Sequence, residues 1–382
     1  MRTTKMTLRL LALAVVVGGL VGGAGAASTS AASPQFGPLI EFWDGSSWTQ
    51  QASPNPEGSA EFNAVVAIST TDAWALGAYG RLLLPYGGGN ALAVHWDGSS
   101  WEQVAIPTPK QATEVRLYGA AATSSNDVWA VGAWAGGPGS SYHTLIEHWD
   151  GNSWTIVPSH KATAQLFGVA ALSPTDAWAV GYFQGAALFM HWDGKAWKKV
   201  TILSNGRNAS LAGITAVSPR GMWAVGTYNL RVNSPRQTLV MHWNGRTWMR
   251  VNSPTPGMSG ALSAVAAAGR NNIWAVGSYR SGHGPRLLAE RWNGRSWKVV
   301  PVRRGTNAEG LTSLAVAARD DIWAAGTYDI GRERTLSTHW DGSAWSLMPS
   351  PNPVTGECNH FSAIGAAAPA AVWAVGSFYL GG

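Results

Sequence analysis

One cysteine, Cys358, occurs among 382 residues, so no disulfide can form within the chain and a disulfide scaffold is excluded. Charge is scarce at 13% of residues, and mean hydropathy is −0.03. A disordered chain would not combine so balanced a hydropathy with 22 Trp, 9 Tyr and 8 Phe. The longest apolar run, Leu10 to Val21, has twelve residues. A helix that crosses a bilayer needs about 20, so stable membrane insertion is not expected. Helical periodicity is absent beyond that run.

Arg2, Lys5 and Arg9 flank the run on its amino-terminal side, and Ala24-Gly25-Ala26 follows it as a small-x-small cleavage site. Residues 1–26 therefore read as an export signal. No cysteine lies near the cut, which argues against a lipid anchor. The expected organisation is a disordered Ser/Ala-rich linker over 27–37 and one domain over 38–382, secreted and extracellular or attached to the cell surface. Without cross-links, such a domain must be stabilised by packing.

Two motifs alternate seven times. W-[DN]-G-x-x-W begins at Trp43, Trp96, Trp149, Trp192, Trp243, Trp292 and Trp340, with one position, 292, reading Trp-Asn-Gly like 243. An apolar-Trp-Ala-[ALV]-Gly segment centres on Trp74, Trp129, Trp178, Trp223, Trp274, Trp323 and Trp373. Spacings run from 43 to 55 residues, a period that signals stacked supersecondary units. The motifs contain 21 of the 22 Trp. The last, Trp134, fills a slot two residues after Gly132 that elsewhere holds Tyr or Phe.

One unit reads as four strands. Strand a is an Ala/Val-rich run (Val169–Leu172), strand b is Ala177–Gly181, strand c is Leu188–Trp192, and strand d opens at Trp197. Asp-Gly or Asn-Gly between apolar runs is a strong hairpin signal, because Gly accepts the positive φ of a tight turn. Strand b is apolar on both faces, as a sheet covered on both sides requires. The expected fold class is all-β: a seven-bladed β-propeller with four antiparallel strands per blade. The chain opens on a c–d hairpin (Trp43 to Trp48) and stops after a strand b (Trp373). The N-terminal hairpin is thus expected to close the last blade, since an open array would leave bare edges.

Strand b of the form apolar-aromatic-apolar-apolar-Gly, then a strand ending aromatic-Asp, a turn and a Trp, resembles kelch-type propellers over nearly all of 38–382. The kelch Gly-Gly doublet is single here (Gly77-Ala78, Gly277-Ser278), and the Asp-to-Trp turn is two residues shorter. The turn is also similar to the Asp-box of sialidase-type propellers, although Asp and Trp stand four apart rather than five. The resemblance implies a bacterial secreted propeller. It transfers no activity, because fold does not fix function. Neither the Tyr/Cys/His copper site of galactose oxidase nor the Arg triad of sialidases can be placed on this chain.

His95, His148, His191, His242 and His339 share one repeat position before the strand c Trp. Strands lie about 4.8 Å apart, so equivalents on adjacent blades stand too far apart to share a metal ion. A hydrogen bond within the blade, to the Asp that leads strand b, is expected instead, and no metal or cofactor. Five Asp lie in hairpin turns (44, 97, 150, 193, 341) and four lead strand b (72, 127, 176, 321), all expected to cap turns. Cys358 reads as a small buried hydrophobe rather than a reactive thiol.

Charge is divided along the chain. Residues 37–200 carry 7 Lys/Arg and 13 Asp/Glu, net −6, whereas 201–382 carry 17 and 8, net +9. The a–b and c–d turns are short and uniform, while the b–c and d–a connections vary, which marks their face as the functional one. That face is expected to carry Arg207, Arg231, Arg236, Arg280, Arg286, Arg303, Arg304, Arg332 and Arg334. The expected function is a monomeric, non-catalytic extracellular binding module for an anionic polysaccharide or protein. Its expected ligand-binding residues are Arg231, Arg236, Arg280, Arg286, Arg332, Arg334 and Trp134. Nucleic acid is not expected, given export and an acidic half. The alternative is a glycan-processing hydrolase or lyase using Glu309, Glu333 or Asp329 in the same bowl, which needs two facing carboxylates.

Overall fold

The computed structural model describes residues 36–80, 89–137, 139–159, 163–202, 207–302, 308–329, 332–354 and 358–379. The expected export signal and linker up to residue 35 lie outside them, as do Arg303, Arg304 and the side chains of Glu309 and Asp329.

The described residues form seven four-stranded antiparallel sheets. Blade 1 runs from Ala60 to Val104, blade 2 from Glu114 to Ile156 and blade 3 from Ala164 to Lys199. Blades 4, 5 and 6 span Arg207–251, Ser259–299 and Ala308–347. Blade 7 takes strands a and b from the carboxyl end (Asn359–Ala368, Ala371–Tyr379) and strands c and d from the amino end (Phe36–Trp43, Trp48–Gln50). The N-terminal hairpin closes the ring as expected, beginning two residues before Pro38. Eight residue pairs join its strand c to strand b, from Phe36↔Tyr379 to Trp43↔Val372. Helical structure among the described residues is limited to one 3-10 turn, Pro56–Gly58.

The tryptophans make the joints between blades. Each strand b Trp meets the strand c Trp of the next blade, with ring centroids 4.9–5.2 Å apart. It also meets that blade's strand d Trp edge-on at 5.1–5.8 Å. The seam obeys the same rule: Trp323 of blade 6 packs on Trp43 and Trp48, and Trp373 of blade 7 on Trp96 and Trp101. Aromatic pairs in such tilted and edge-to-face geometry contribute about 0.5–1.5 kcal/mol each beyond area burial. Seven equivalent joints therefore distribute stability evenly around the ring.

Glycine ends the core of strand b for a steric reason. Strand a carries a bulge opposite it, as between Leu166 and Gly168 in blade 3. The bulge folds a strand a carbonyl over the glycine, so a Cβ on Gly181 would sit 1.9 Å from the Gln165 oxygen. The same clash, at 1.9–2.1 Å, recurs at Gly77, Gly132, Gly226, Gly277, Gly326 and Gly376. Gly181→Ala is expected to lower unfolding stability by about 1–3 kcal/mol or more, the cost of forced overpacking. Urea denaturation measures it, and an unchanged midpoint would contradict this account of the conserved geometry within the repeat.

Candidate functional site

Strand a of each blade packs against strand a of its neighbours and is therefore innermost. It enters from the d–a connection, so its first residues meet the b–c hairpins on one face. There the structure gathers a polar cluster from blades 6, 7, 1 and 2. Arg116 Nη1 lies 3.4 Å from Glu61 Oε1, and its Nε donates to Glu114 Oε1 at 3.0 Å. Tyr142 Oη donates to the same Glu114 oxygen at 3.0 Å, and Asn63 Nδ2 to Glu61 at 3.4 Å. Farther round, His360 Nδ1 stands 4.0 Å from Glu333 Oε2 of blade 6, and its Nε2 is 3.3 Å from Ser377 Oγ. Tyr118 and Phe167, on neighbouring inner strands, touch edge to face at 5.5 Å.

Electrostatics follow from this crowding. Burial works against the Arg116 charge, but Glu61 and Glu114 outweigh it and hold the guanidinium above its ordinary range. Burial, then Glu114, raises the Tyr142 phenol, which stays protonated as a donor. Burial lowers the His360 pKa against the pull of Glu61. Three carboxylates against one guanidinium make this arc acidic. Its donors and acceptors, flanked by aromatic rings, suit hydroxyl or amide groups of a ligand rather than a bare anion.

The residues expected from sequence fall elsewhere on the same face. Arg236, Arg280, Arg286 and Arg334 lie at the b–c hairpin ends of blades 4, 5 and 6, paired with Asn229, Pro285, Tyr279 and Tyr328. Arg231 caps an exposed turn in which Ser234 N donates to its carbonyl at 3.1 Å. Arg332 is exposed beside blade 6's hairpin. Trp134 is half-buried and stacks on His143 at 4.7 Å, in the strand pair next to Glu114. The face thus carries arginines at the b–c hairpin ends of blades 4–6 and an acidic arc whose carboxylates come from blades 1, 2 and 6, with His360 of blade 7 between them. Of the carboxylates expected for catalysis, Glu333 lies in the acidic arc beside His360.

The opposite face carries the repeat's own polar pairs. His95, His148, His191 and His339 meet Asp72, Asp127, Asp176 and Asp321 through Nε2 at 2.6–2.9 Å, as expected. These Asp thus serve the histidines rather than only capping turns. The hairpin Asp do cap: Asp44 Oδ1 accepts from Ser46 N and Ser47 N at 2.8 and 2.9 Å. Such bonds hold the carboxyls of Asp97 and Asp341 at about 2, below the ordinary carboxylate range.

The Glu61–Arg116–Glu114 cluster escapes a reading of motifs, since strand a there shows no chemical signature. Aligning the repeats by position would have found it. The slot of Arg116 holds Glu61, Gln165, Ser210, Ala261, Gly310 and His360 in other blades, and polar size is concentrated in blades 7, 1, 2 and 3.

No family model and no curated protein matches the chain. Solved structures do. It is similar to YCF48 bound to a D1 peptide, with 16% identity and a TM-score of 0.51 over 84% of this chain and 92% of that one. It is similar to the WD40 repeats of RRP9, with 10% identity and a TM-score of 0.54 over 90% and 100%. A third likeness is to the SapL1 lectin in complex with alpha methyl fucoside, with 13% identity and a TM-score of 0.52 over 76% and 96%. The chain is a seven-bladed propeller with WD40-like neighbours. At these identities the likeness speaks for the fold alone.

Proposed function

We propose that the protein is a secreted, non-catalytic binding module whose b–c/d–a face takes an extracellular macromolecule, an acidic glycan or a protein. In this reading residues 1–26 direct export, and the chain is a bacterial kelch-like or Asp-box-like propeller acting as a monomer. The observation that carries it is the setting of unlike charges against each other on one face. The a–b and c–d turns keep one length in all seven blades, whereas the other face has connections of varied length and sets the arginines of blades 4–6 against the carboxylates Glu61, Glu114 and Glu333. Guanidinium groups bind carboxylate or sulfate in bidentate fashion, and the polar arc with Trp134 supplies hydroxyl and amide contacts. The peptide of the YCF48 complex and the fucoside of the SapL1 complex are precedents for partners of both kinds on such folds.

The test is a binding screen of the mature chain against glycans and cell-wall polymers, repeated with Arg236, Arg280 and Arg286 changed together to Glu. We expect binding to weaken at least tenfold and to lose most of its salt dependence. An anionic ligand bound equally well by the variant would contradict the basic arc. Release of products from a bound polysaccharide, lost in Glu333→Gln, would favour the hydrolase or lyase reading instead.

A further inference from the structure

We infer that the cleft between blades 4 and 5, on the face opposite the proposed binding surface, is a site for an oxyanion carried on a sugar-sized molecule. The repeat is broken at this cleft. Four blades place an Asp at the head of strand b, where it accepts from the strand c His. Blade 5 keeps a polar pair there, with Arg291 Nε donating to Asn272 Oδ1 at 2.7 Å. In blade 4 the Asp position is Gly221, and His242 has no hydrogen-bond partner among the described residues, only the Trp223 ring at 4.3 Å. Gly221 and His242 border an open cleft of about 500 Å³.

The charged side chains around this cleft are both guanidiniums. Arg220 and Arg270 reach it from the a–b turns of the two blades, and Asn271 and His242 join them. Neither Arg220 nor Arg270 forms an ion pair among the described residues, and no Asp or Glu lines the cleft. Trp292 adds an apolar wall, and its indole N–H finds no acceptor among the described residues, whereas Trp243 Nε1 of blade 4 donates to Pro219 O at 3.2 Å. Two guanidiniums, an imidazole and an indole lining one cleft offer N–H groups that complement a phosphate, sulfate or carboxylate. The volume is that of a small-molecule site rather than of a bare ion. The aromatic wall suits the ring that carries the anion.

Gly221→Asp is the decisive variant because the protein's own repeats show that it fits. Ser69, Ser124 and Ser173 stand three residues before an Asp in blades 1–3, as Ser218 does before Gly221. The backbone of Gly221 is not in the left-handed region. The substitution restores the His–Asp pair and places a carboxylate inside the cleft. Inorganic phosphate, inorganic sulfate and glucuronate are titrated by calorimetry, with glucose as the neutral control. The His242 imidazole resonance is followed by NMR.

We expect saturable binding of at least one oxyanion, with a shift of the His242 signal and none from glucose. Affinity should fall at least tenfold in Gly221→Asp and in the exposed-turn variant Arg270→Ala. The tightest of the three ligands identifies the anion class. Absence of saturable binding by all three, or equal binding by both variants, would overturn the inference. Should Gly221→Asp fail to fold, Arg270→Ala decides alone.

Discussion

A chain that begins after Gln50 does not unfold cooperatively. Removing Phe36–Gln50 strips strands c and d from blade 7 and exposes the whole edge of Ala371–Tyr379. It also takes Trp43 and Trp48 from Trp323, so the joint between blades 6 and 7 disappears. Leu39, Ile40, Trp43 and Trp48 are all buried in the intact ring. At about 1.5–3 kcal/mol for each large apolar side chain, their loss approaches the whole 5–15 kcal/mol that stabilises an ordinary domain. The expected result is a broad, low-enthalpy calorimetric trace and loss of near-ultraviolet tryptophan dichroism. Addition of a 36–50 peptide should restore part of both. A truncated chain melting as sharply and at the same temperature as the full one would refute ring closure as the source of cooperativity.

The second large effect concerns three glutamates that the fold buries with no cationic partner among the described residues. Glu41, Glu147 and Glu290 share one position, two residues before the strand c Trp, and are fully buried. Their side chains alternate onto the same face as that Trp and so enter the joint with the preceding blade. Glu290 Oε2 accepts from Ser253 Oγ of blade 4 at 2.6 Å, whereas both oxygens of Glu41 and Glu147 lack partners among the described residues. Burial pushes Glu41 up to about 8 and Glu290 to about 7, and raises Glu147 in the same direction.

The folded state therefore retains protons that the unfolded chain releases above its ordinary carboxyl pKa of 4.5. Stability is full below that pH. It falls as pH rises, up to about 7 for Glu290 and about 8 for Glu41. At 1.36 kcal/mol per pKa unit, the loss at pH 8 is on the order of a few kcal/mol per site. The same slot holds Met190 and Met241 in blades 3 and 4, so Glu41→Met is compatible with the packing. We expect that variant to gain roughly 2–4 kcal/mol at pH 8 and little at pH 4. Urea midpoints at both pH values check it. An equal gain at the two, or none at pH 8, would mean that Glu41 is charged and solvated in the folded protein.

These cases show what a repeat makes legible. Blade number, strand order, the His–Asp pairs and the N-terminal seam follow from residue types that recur in register, because one unit's packing solution must serve all seven. Trp43 and Trp48 announce the seam because they copy the other hairpins. The site does not recur, so it is written in departures from the pattern. Glu61 and Arg116 occupy a slot that is small or uncharged in blades 3–6, Glu41 a slot that is apolar or neutral in four blades, and Gly221 one that is acidic in four. A single departure has no motif of its own. Glu61 and Arg116, 55 residues apart, meet because the inner strands of adjacent blades pack side by side. The charge imbalance between the chain halves was visible in sequence, but its division into two arcs of one face depends on the circular order of blades.

Hydrogen exchange of the intact protein, resolved by residue segment, tests the closed ring most directly. The account predicts that amides of Phe36–Trp43 exchange at the same slow rate as those of Ala371–Tyr379, through one shared opening. Exchange of the amino-terminal strand faster by several orders of magnitude, with the rest of the molecule still protected, would contradict it.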